Sequence, residues 1–263
     1  SQDTQPDSRW RDNQAAVRAN ITISDVIDAE NIRARAITAA VDADDIQEAR
    51  SIAAEEAPIA VINDLLRLSN LPIRISLHEN ERLLASKAGS LQFSIAELSD
   101  GERNALLIAA SVLTAKPGTL ILIDEPERHL HRSIISPLLT HLFSRRTDCA
   151  FVVSTHEVLL PADHPESKTI LTRGCEYEGS RAARWDVDLV EEEFDVDERV
   201  KLDILGSRRR ILFVEGVSDS LDKPLYATLF PEVSVVPKST SRDVEQSVLG
   251  IRSSPSLHWV TAY

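Results

Sequence analysis

An unbroken apolar run that ends in two carboxylates constrains this chain more than any other feature. Residues 120–123 are all Leu or Ile, and Asp124 and Glu125 follow directly. Such a run predicts a strand that is buried on both faces of a parallel sheet. Ligands bind at the carboxyl edge of parallel sheets, so we expect both carboxylates at a ligand-binding edge. A strand that ends in a solvated acidic turn is the alternative interpretation.

Paired carboxylates at such an edge suit phosphoryl transfer. One carboxylate helps to hold the Mg²⁺ ion that bridges the β- and γ-phosphates of a nucleotide. The other polarises or orients the attacking water. Asp124 and Glu125 are therefore candidates for these two roles.

A Leu-Ser-Asp-Gly-Glu segment at residues 98–102 precedes a helix that the periodicity predicts over residues 103–114. A serine hydroxyl, a glycine backbone and the free N–H groups of a helix start can together bind a phosphate. An ordinary N-cap is the alternative, with Ser99 as the cap and Glu102 completing a capping box. The same geometry can serve both purposes.

Ser154, Thr155 and His156 directly follow a second apolar run, at residues 150–153. A histidine at a strand edge beside a phosphate site can hydrogen-bond the γ-phosphate. A surface or core histidine without such a role is the alternative. A helix predicted over residues 133–145 separates this run from the first, so the two strands can lie side by side.

The order of these motifs resembles the ABC-type ATPase family, in particular the branch that contains SMC-like and overcoming-lysogenisation-defect (OLD) proteins. The resemblance covers residues 72–173 and implies ATP and Mg²⁺ as cofactors. It makes Asp124 the metal ligand, Glu125 the catalytic carboxylate and His156 the switch histidine. Residues 127–131 correspond to the D-loop, and their Glu-x-x-Leu-His pattern is similar to the OLD-like branch. The signature loop, which contacts the nucleotide of the opposite protomer, corresponds to Ser99, Asp100, Gly101 and Glu102, with Asp100 where a second glycine is usual.

A further apolar run, at residues 211–214, ends in Glu215 and Gly216 and precedes a predicted helix. It resembles the opening of a TOPRIM domain, as found in topoisomerases, primases and OLD nucleases. The resemblance makes Glu215 a Mg²⁺ ligand that works with a later Asp-x-Asp pair, and no such pair occurs before Tyr263. Asp219 and Asp222 fall on the following helix and are not expected to replace it. An ordinary strand end is the alternative.

Other periodicities predict a helical region at residues 15–68, in which Pro58 opens a helix, and a strand pair at 73–77 and 83–86. A third buried strand is expected at residues 169–171, then one or two strands and an acidic connecting segment. Beyond residue 207 we expect the order strand 211–214, helix 221–229, strand 233–236, helix 243–250 and strand 257–260.

No Gly-x-x-x-x-Gly-Lys-[Ser/Thr] phosphate loop occurs in the 263 residues. In the family resembled, this loop lies N-terminal to every motif identified above. We therefore expect that these residues lack that lobe and bind ATP weakly by themselves.

The bulk composition excludes several classes of protein. The net charge of −13 disfavours indiscriminate nucleic-acid binding. Cys149 and Cys175 are too few for a disulfide framework and lack the paired spacing of zinc ligands. No apolar stretch is long enough to span a membrane, and no signal peptide is visible, so we expect a cytoplasmic protein without a membrane partner.

We therefore expect an α/β protein with an ABC-ATPase-like parallel sheet, helices and a partial TOPRIM-like α/β unit. The expected domains are a helical arm at 1–71, the C-terminal part of the ATPase domain at 72–175, an acidic connecting segment at 176–206 and the TOPRIM-like part at 207–263.

The leading hypothesis is an OLD-like ATPase that dimerises through its heads and acts on nucleic acid, as an ATPase and nuclease in phage defence. The alternative is an ATP-gated regulatory or structural module of SMC-like type without nuclease activity, for which a partner protein is conceivable. A transporter head is a weaker third hypothesis, because the helical region and the C-terminal α/β unit do not suit it.

Overall fold

The computed structural model describes residues 15–79, 81–87, 91–190, 210–217, 219–253 and 260–263. The chain divides into two compact units between Glu157 and Val158. The architecture is mixed α/β, with parallel and antiparallel sheets, as the sequence predicts.

Three helices open the first unit: α1 (Ala15–Asp42), α2 (Ile46–Ala54) and α3 (Pro58–Leu68). Asp45 caps α2 by accepting a hydrogen bond from the Glu48 amide at 3.0 Å, and Pro58 opens α3 as predicted. One face of α3 is buried, through Ile59, Ile62, Leu65 and Leu66. All three helices belong to the first unit, in which α1 and α3 pack against α4 (Asp100–Thr114). Among the described residues of the region predicted as an arm, α1 and α3 therefore pack within this unit.

An antiparallel meander follows, made of β1 (Ile73–His78), β2 (Arg82–Lys87) and β3 (Phe93–Ser94). The register pairs Ile73 with Lys87 and His78 with Arg82, so the predicted strand pair is confirmed. Asn63 of α3 fixes β1 from the side. Its side chain accepts a hydrogen bond from the Ile75 amide at 2.6 Å and donates one to the Ile75 carbonyl at 2.8 Å.

The pair of parallel strands β4 (Leu120–Asp124) and β5 (Ala150–Ser154) is joined through α5 (Arg132–Arg145). Both strands and both helices that the sequence predicts here are confirmed. The core lies between α4 and α5, whose fully buried side chains include Leu106, Ile135, Leu138, Leu139 and Leu142.

The prediction that β4 is buried on both faces is wrong. Alternate residues of a strand point to opposite faces. Ile123 is 9% exposed, whereas Leu122 is 71% and Val152 of β5 is 55% exposed. Within the part of the chain that the structure describes, helices therefore cover only one face of this two-stranded sheet.

The second unit begins with an antiparallel hairpin of β6 (Thr169–Glu178) and β7 (Arg181–Val190). Arg173 and Asp188 form an ion pair at 3.2 Å, with both side chains almost buried. The strand expected at 169–171 is confirmed as the start of β6, but its expected burial is wrong. Among the described residues β6 pairs only with β7, and Ile170 is 63% exposed. The domain boundary expected after residue 175 falls inside β6, and the acidic run at 191–193 lies outside the described residues.

A parallel sheet with the order β10–β8–β9 completes the second unit. It contains β8 (Arg210–Glu215), β9 (Ser234–Lys238) and β10 (Thr261–Ala262), with helices α6 (Asp222–Leu229) and α7 (Ser241–Ser253) between them. The predicted alternation of strands and helices is confirmed. The structure gives the last strand at 261–262, and residues 257–259 of the strand predicted at 257–260 lie outside the described residues. The core beside this parallel sheet contains Ile211, Phe213, Ile251, Val260 and Ala262. Leu212 and Val214 are only partly buried. The expectation that β8 is buried on both faces is therefore wrong for the face that carries these two residues.

Candidate functional site

The carboxyl ends of β4 and β5 bring Asp124 and Ser154 side by side. The parallel register pairs these two residues, and the Ser154 hydroxyl donates a hydrogen bond to the Asp124 carboxylate. Both residues are exposed. An exposed carboxylate beside a hydroxyl offers the oxygen ligands that Mg²⁺ prefers, with room for water and phosphate oxygens to complete its shell. The residues at this edge therefore fit the ion that the sequence implies.

Glu125 turns sharply away from the end of β4. Its amide donates to the Ser154 carbonyl at 2.9 Å, which extends the strand pairing by one residue. Its φ is 44°, in the left-handed region that non-glycine residues rarely adopt. Such a conformation costs on the order of 1 kcal/mol and is typical of functional sites.

His156 lies against Glu125. Its Nε2 is 3.0 Å from Glu125 Oε1, while 86% of the His156 side chain and 40% of the Glu125 side chain remain exposed. The two residues predicted as catalytic carboxylate and switch histidine are therefore neighbours, and both are open to solvent. A carboxylate and an imidazole at this distance can orient a water molecule between a strand edge and a bound phosphate.

Glu127 reaches from the turn after β4 to the segment after β5, and the sequence predicts no separate role for it. Its Oε1 accepts hydrogen bonds from the Thr155 hydroxyl and from the His156 amide, each at 2.8 Å. Burial acts to raise the pKa of Glu127, but these bonds and those from the backbone amides of Glu127 and Glu157 outweigh it, so that its pKa is lowered. The group is therefore held as a charged carboxylate.

Ser99 caps α4, and the capping box predicted as one interpretation is confirmed. The Ser99 hydroxyl donates to Glu102 Oε2 at 2.8 Å, and the Ser99 amide donates to the same atom at 3.0 Å. Lys87 lies 2.8 Å from the other oxygen of Glu102. Burial acts to raise the pKa of Glu102, yet the bonds from Lys87 and Ser99 prevail and lower it. In this structure the Glu102 carboxylate engages the donors that an anion would use, and the nucleotide role of Ser99 and Glu102 stays a prediction.

Gly101 fits α4 closely against the turn that follows β4. A Cβ atom at this position would lie 2.3 Å from the His129 carbonyl oxygen. Asn104, one turn further along α4, donates to the Pro126 and Arg128 carbonyls at 3.3 and 3.2 Å. The signature-like segment is therefore joined directly to the turn that carries Glu125.

Asp100, by contrast, is open to solvent. Its side chain is 73% exposed and lies 3.7 Å from an Arg103 guanidinium nitrogen. Its position at the start of α4 leaves it accessible to a ligand, and its part in nucleotide binding stays a prediction.

Glu215 ends β8 in the second unit, as predicted, and is exposed. It lines an open groove of about 410 Å³ together with Leu212, Phe213, Val214, Asp222 and Tyr226. Gly216 has φ 146°, and its amide donates to the Lys238 carbonyl at 2.8 Å. Asp222, which was not expected to act with Glu215, therefore shares the groove with it. Among the described residues, no group of three His, Cys, Asp or Glu side chains is arranged to hold a metal ion.

In the described part of the chain, no helix combines the length and the apolar character that crossing a membrane requires.

Comparison with solved structures finds chains that contain SMC ATPase heads. One, from a study of ATP-driven dimerisation and DNA-stimulated activation of SMC ATPases, shares 19% identity at a TM-score of 0.40, over 52% of this chain and 84% of that chain. A Pyrococcus yayanosii Smc head with coiled coil and joint shares 18% identity at a TM-score of 0.43, over 63% of this chain. This chain spans only 31% of that structure. A Smc head bound to the C-terminal winged-helix domain of ScpA shares 18% identity at a TM-score of 0.41, over 54% of this chain and 46% of that chain.

Comparison with curated proteins gives no match. A family profile with the description "AAA domain, putative AbiEii toxin, Type IV TA system" matches residues 12–163, which is more than half of the chain and includes the edge of β4 and β5. The chain therefore belongs to this family of AAA-type ATPase domains.

Proposed function

We propose that the protein hydrolyses ATP and that this chain supplies the hydrolytic half of the site, at the shared edge of β4 and β5. The observation that carries the proposal is the contact between Glu125 and His156 at 3.0 Å, beside the exposed Asp124. Membership of the AAA domain family supports it.

Each residue at the edge has a role in the proposed reaction. Asp124 and Ser154 would hold Mg²⁺, which supplies positive charge to the phosphate oxygens when it is bound. Glu125 orients the attacking water and accepts its proton. His156 hydrogen-bonds the γ-phosphate and keeps the Glu125 side chain in place.

The second half of the site comes from another copy of the chain in this proposal. The N-terminus of α4, with Ser99 and Gly101, would face the nucleotide of the partner copy, as in the ABC-type ATPases that the sequence resembles. A homodimer across ATP is then part of the mechanism. Such a dimer acting on nucleic acid, in the manner of OLD-like phage-defence proteins, is the finer form of the proposal.

The Glu125→Gln variant tests the hydrolytic role. In the intact protein that carries this sequence, we expect ATP turnover to fall about 10²-fold or more while ATP stays bound, because glutamine cannot accept the proton. Glu79→Gln, in the exposed turn between β1 and β2, is the matched control and should turn over ATP at the parental rate. Parental turnover by Glu125→Gln would remove this role from Glu125.

A second candidate function is metal-dependent phosphodiester chemistry at Glu215. It is favoured by one observation: Glu215 and Asp222 line the same open groove at the carboxyl end of the central strand β8. Carboxylates so placed are suited to hold Mg²⁺ against a phosphodiester.

The Glu215→Ala variant of the intact protein tests this second function. We expect it to lose Mg²⁺-dependent nicking of DNA or RNA while its ATP turnover stays close to parental, because the two sites lie in different units. A variant that still cleaves nucleic acid would exclude the nuclease site and favour the ATP-gated regulatory module.

A further inference from the structure

Glu127 connects two loops that are distant in sequence and adjacent at the candidate site. It lies in the turn after β4, yet its Oε1 accepts hydrogen bonds from the Thr155 hydroxyl and the His156 amide, 28 and 29 residues further along. Bonds to an ionised acceptor are about twice as strong as bonds between neutral groups. The carboxylate therefore ties the segment after β5 to the turn after β4.

The turn side of this connection is itself well anchored. The Arg128 amide donates to the Glu125 carbonyl at 3.0 Å, and the Leu130 amide donates to the Glu127 carbonyl at 2.8 Å. From α4, the Asn104 side chain donates to the carbonyls of Pro126 and Arg128. The backbone that carries Glu127 is thus fixed both by its own turn and by a helix.

The other side of the connection is less constrained. The His156 side chain is 86% exposed, so packing does little to place it. Its amide bonds to Glu127, and the Thr155 hydroxyl that donates to Glu127 also accepts from the Glu157 amide at 2.9 Å. The Glu127 carboxylate therefore holds this segment through the Thr155 hydroxyl and the His156 amide.

We propose that Glu127 is a positioning residue for His156: it fixes the backbone of residues 155–157 so that the imidazole stays in contact with Glu125. This inference rests on the proposed ATP hydrolysis, in which His156 and Glu125 act together. Glu127 itself contacts neither nucleotide nor water in this role. A misplacement of about 1 Å in such a site can cost on the order of 10²-fold in rate.

Three substitutions separate positioning from other roles. Glu127→Ala removes the acceptor of both hydrogen bonds. Glu127→Gln keeps an acceptor oxygen at the same reach and loses only the charge. Thr155→Val removes one of the two donors while preserving the shape of the side chain.

The test combines ATP turnover, nucleotide affinity and amide hydrogen exchange in the intact protein. For Glu127→Ala we expect turnover about 10-fold to 10²-fold lower, an unchanged nucleotide affinity and faster exchange at the amides of His156 and Glu157. Glu127→Gln should restore most of the turnover and the protection. Glu79→Ala, which removes an exposed carboxylate from the turn between β1 and β2, should leave all three quantities unchanged.

A double substitution sharpens the result. Adding Thr155→Val to Glu127→Ala should lower turnover little further, because both changes break the same hydrogen-bonded connection. The inference is overturned if Glu127→Ala keeps parental turnover, if the His156 amide exchanges no faster, or if Glu127→Gln is as damaging as Glu127→Ala. A parent without ATP turnover would instead refute the proposed function, and the exchange rates would still show whether Glu127 holds the segment.

Discussion

At the scale of the residue, Gly101 shows how one position can join the start of α4 to the turn that follows β4. An added Cβ would lie 2.3 Å from the His129 carbonyl oxygen, far inside van der Waals contact. His129 already has a φ of 63°, so its backbone conformation leaves little freedom to move aside. Only glycine therefore allows α4 to approach the turn this closely.

We predict that Gly101→Ala lowers the free energy of unfolding by about 1–3 kcal/mol, because the backbone of the turn must shift to admit the methyl group. Chemical denaturation would measure this. Gly174→Ala is the matched control, since a Cβ there meets nothing within 4 Å and its backbone is not left-handed. Equal denaturation midpoints for Gly101→Ala and the parent would show that α4 and the turn separate easily.

Residue by residue, the sequence was sufficient to predict that Asp124 and Glu125 lie at the end of a strand, but not the contacts around them. Asp124 and Glu125 were predictable because an apolar run must end where its first charged residues emerge. Glu127 and Asn104 were not, because their partners are backbone amides and carbonyls 22 to 29 residues away. No local pattern indicates such contacts. The only hint in the sequence is that Glu127 is acidic and lies two positions after Glu125.

At the scale of the element, periodicity predicted the helices and the parallel strands well. The predicted ends of β4, β5, α4 and α5 lie within three residues of the observed ends, because most of these ends are next to charged, proline or glycine residues. The β6–β7 hairpin was less predictable. A short apolar stretch at 169–171 does not reveal its partner strand, and the length of β6 follows from its pairing with β7.

Burial of the strands was the other failure at this scale. An apolar run indicates that a strand can be buried on two faces, but what covers each face depends on elements distant in sequence. In the described residues, helices cover the face of Ile123 and leave Leu120, Leu122 and Val152 exposed. The exposed apolar face marks a surface suited to further packing.

At the scale of the whole molecule, the two units carry separate candidate chemistry. The first contains the edge of β4 and β5 and the N-terminus of α4, and the second contains the groove at Glu215. Within one copy, the amide and hydroxyl of Ser99 both bond to Glu102. The proposed site also requires the α4 N-terminus of a second copy, which would meet the nucleotide whose attacking water Glu125 orients.

Mixing two inactive variants of the intact protein tests this account most directly. Glu125→Gln removes the hydrolytic carboxylate, and Ser99→Arg blocks the N-terminus of α4. A mixed dimer then has one site with both residues intact and one with both altered. Random exchange of subunits predicts recovery of about a quarter of the parental ATP turnover. Turnover no higher than the mean of the two separate variants would contradict a site shared between two copies.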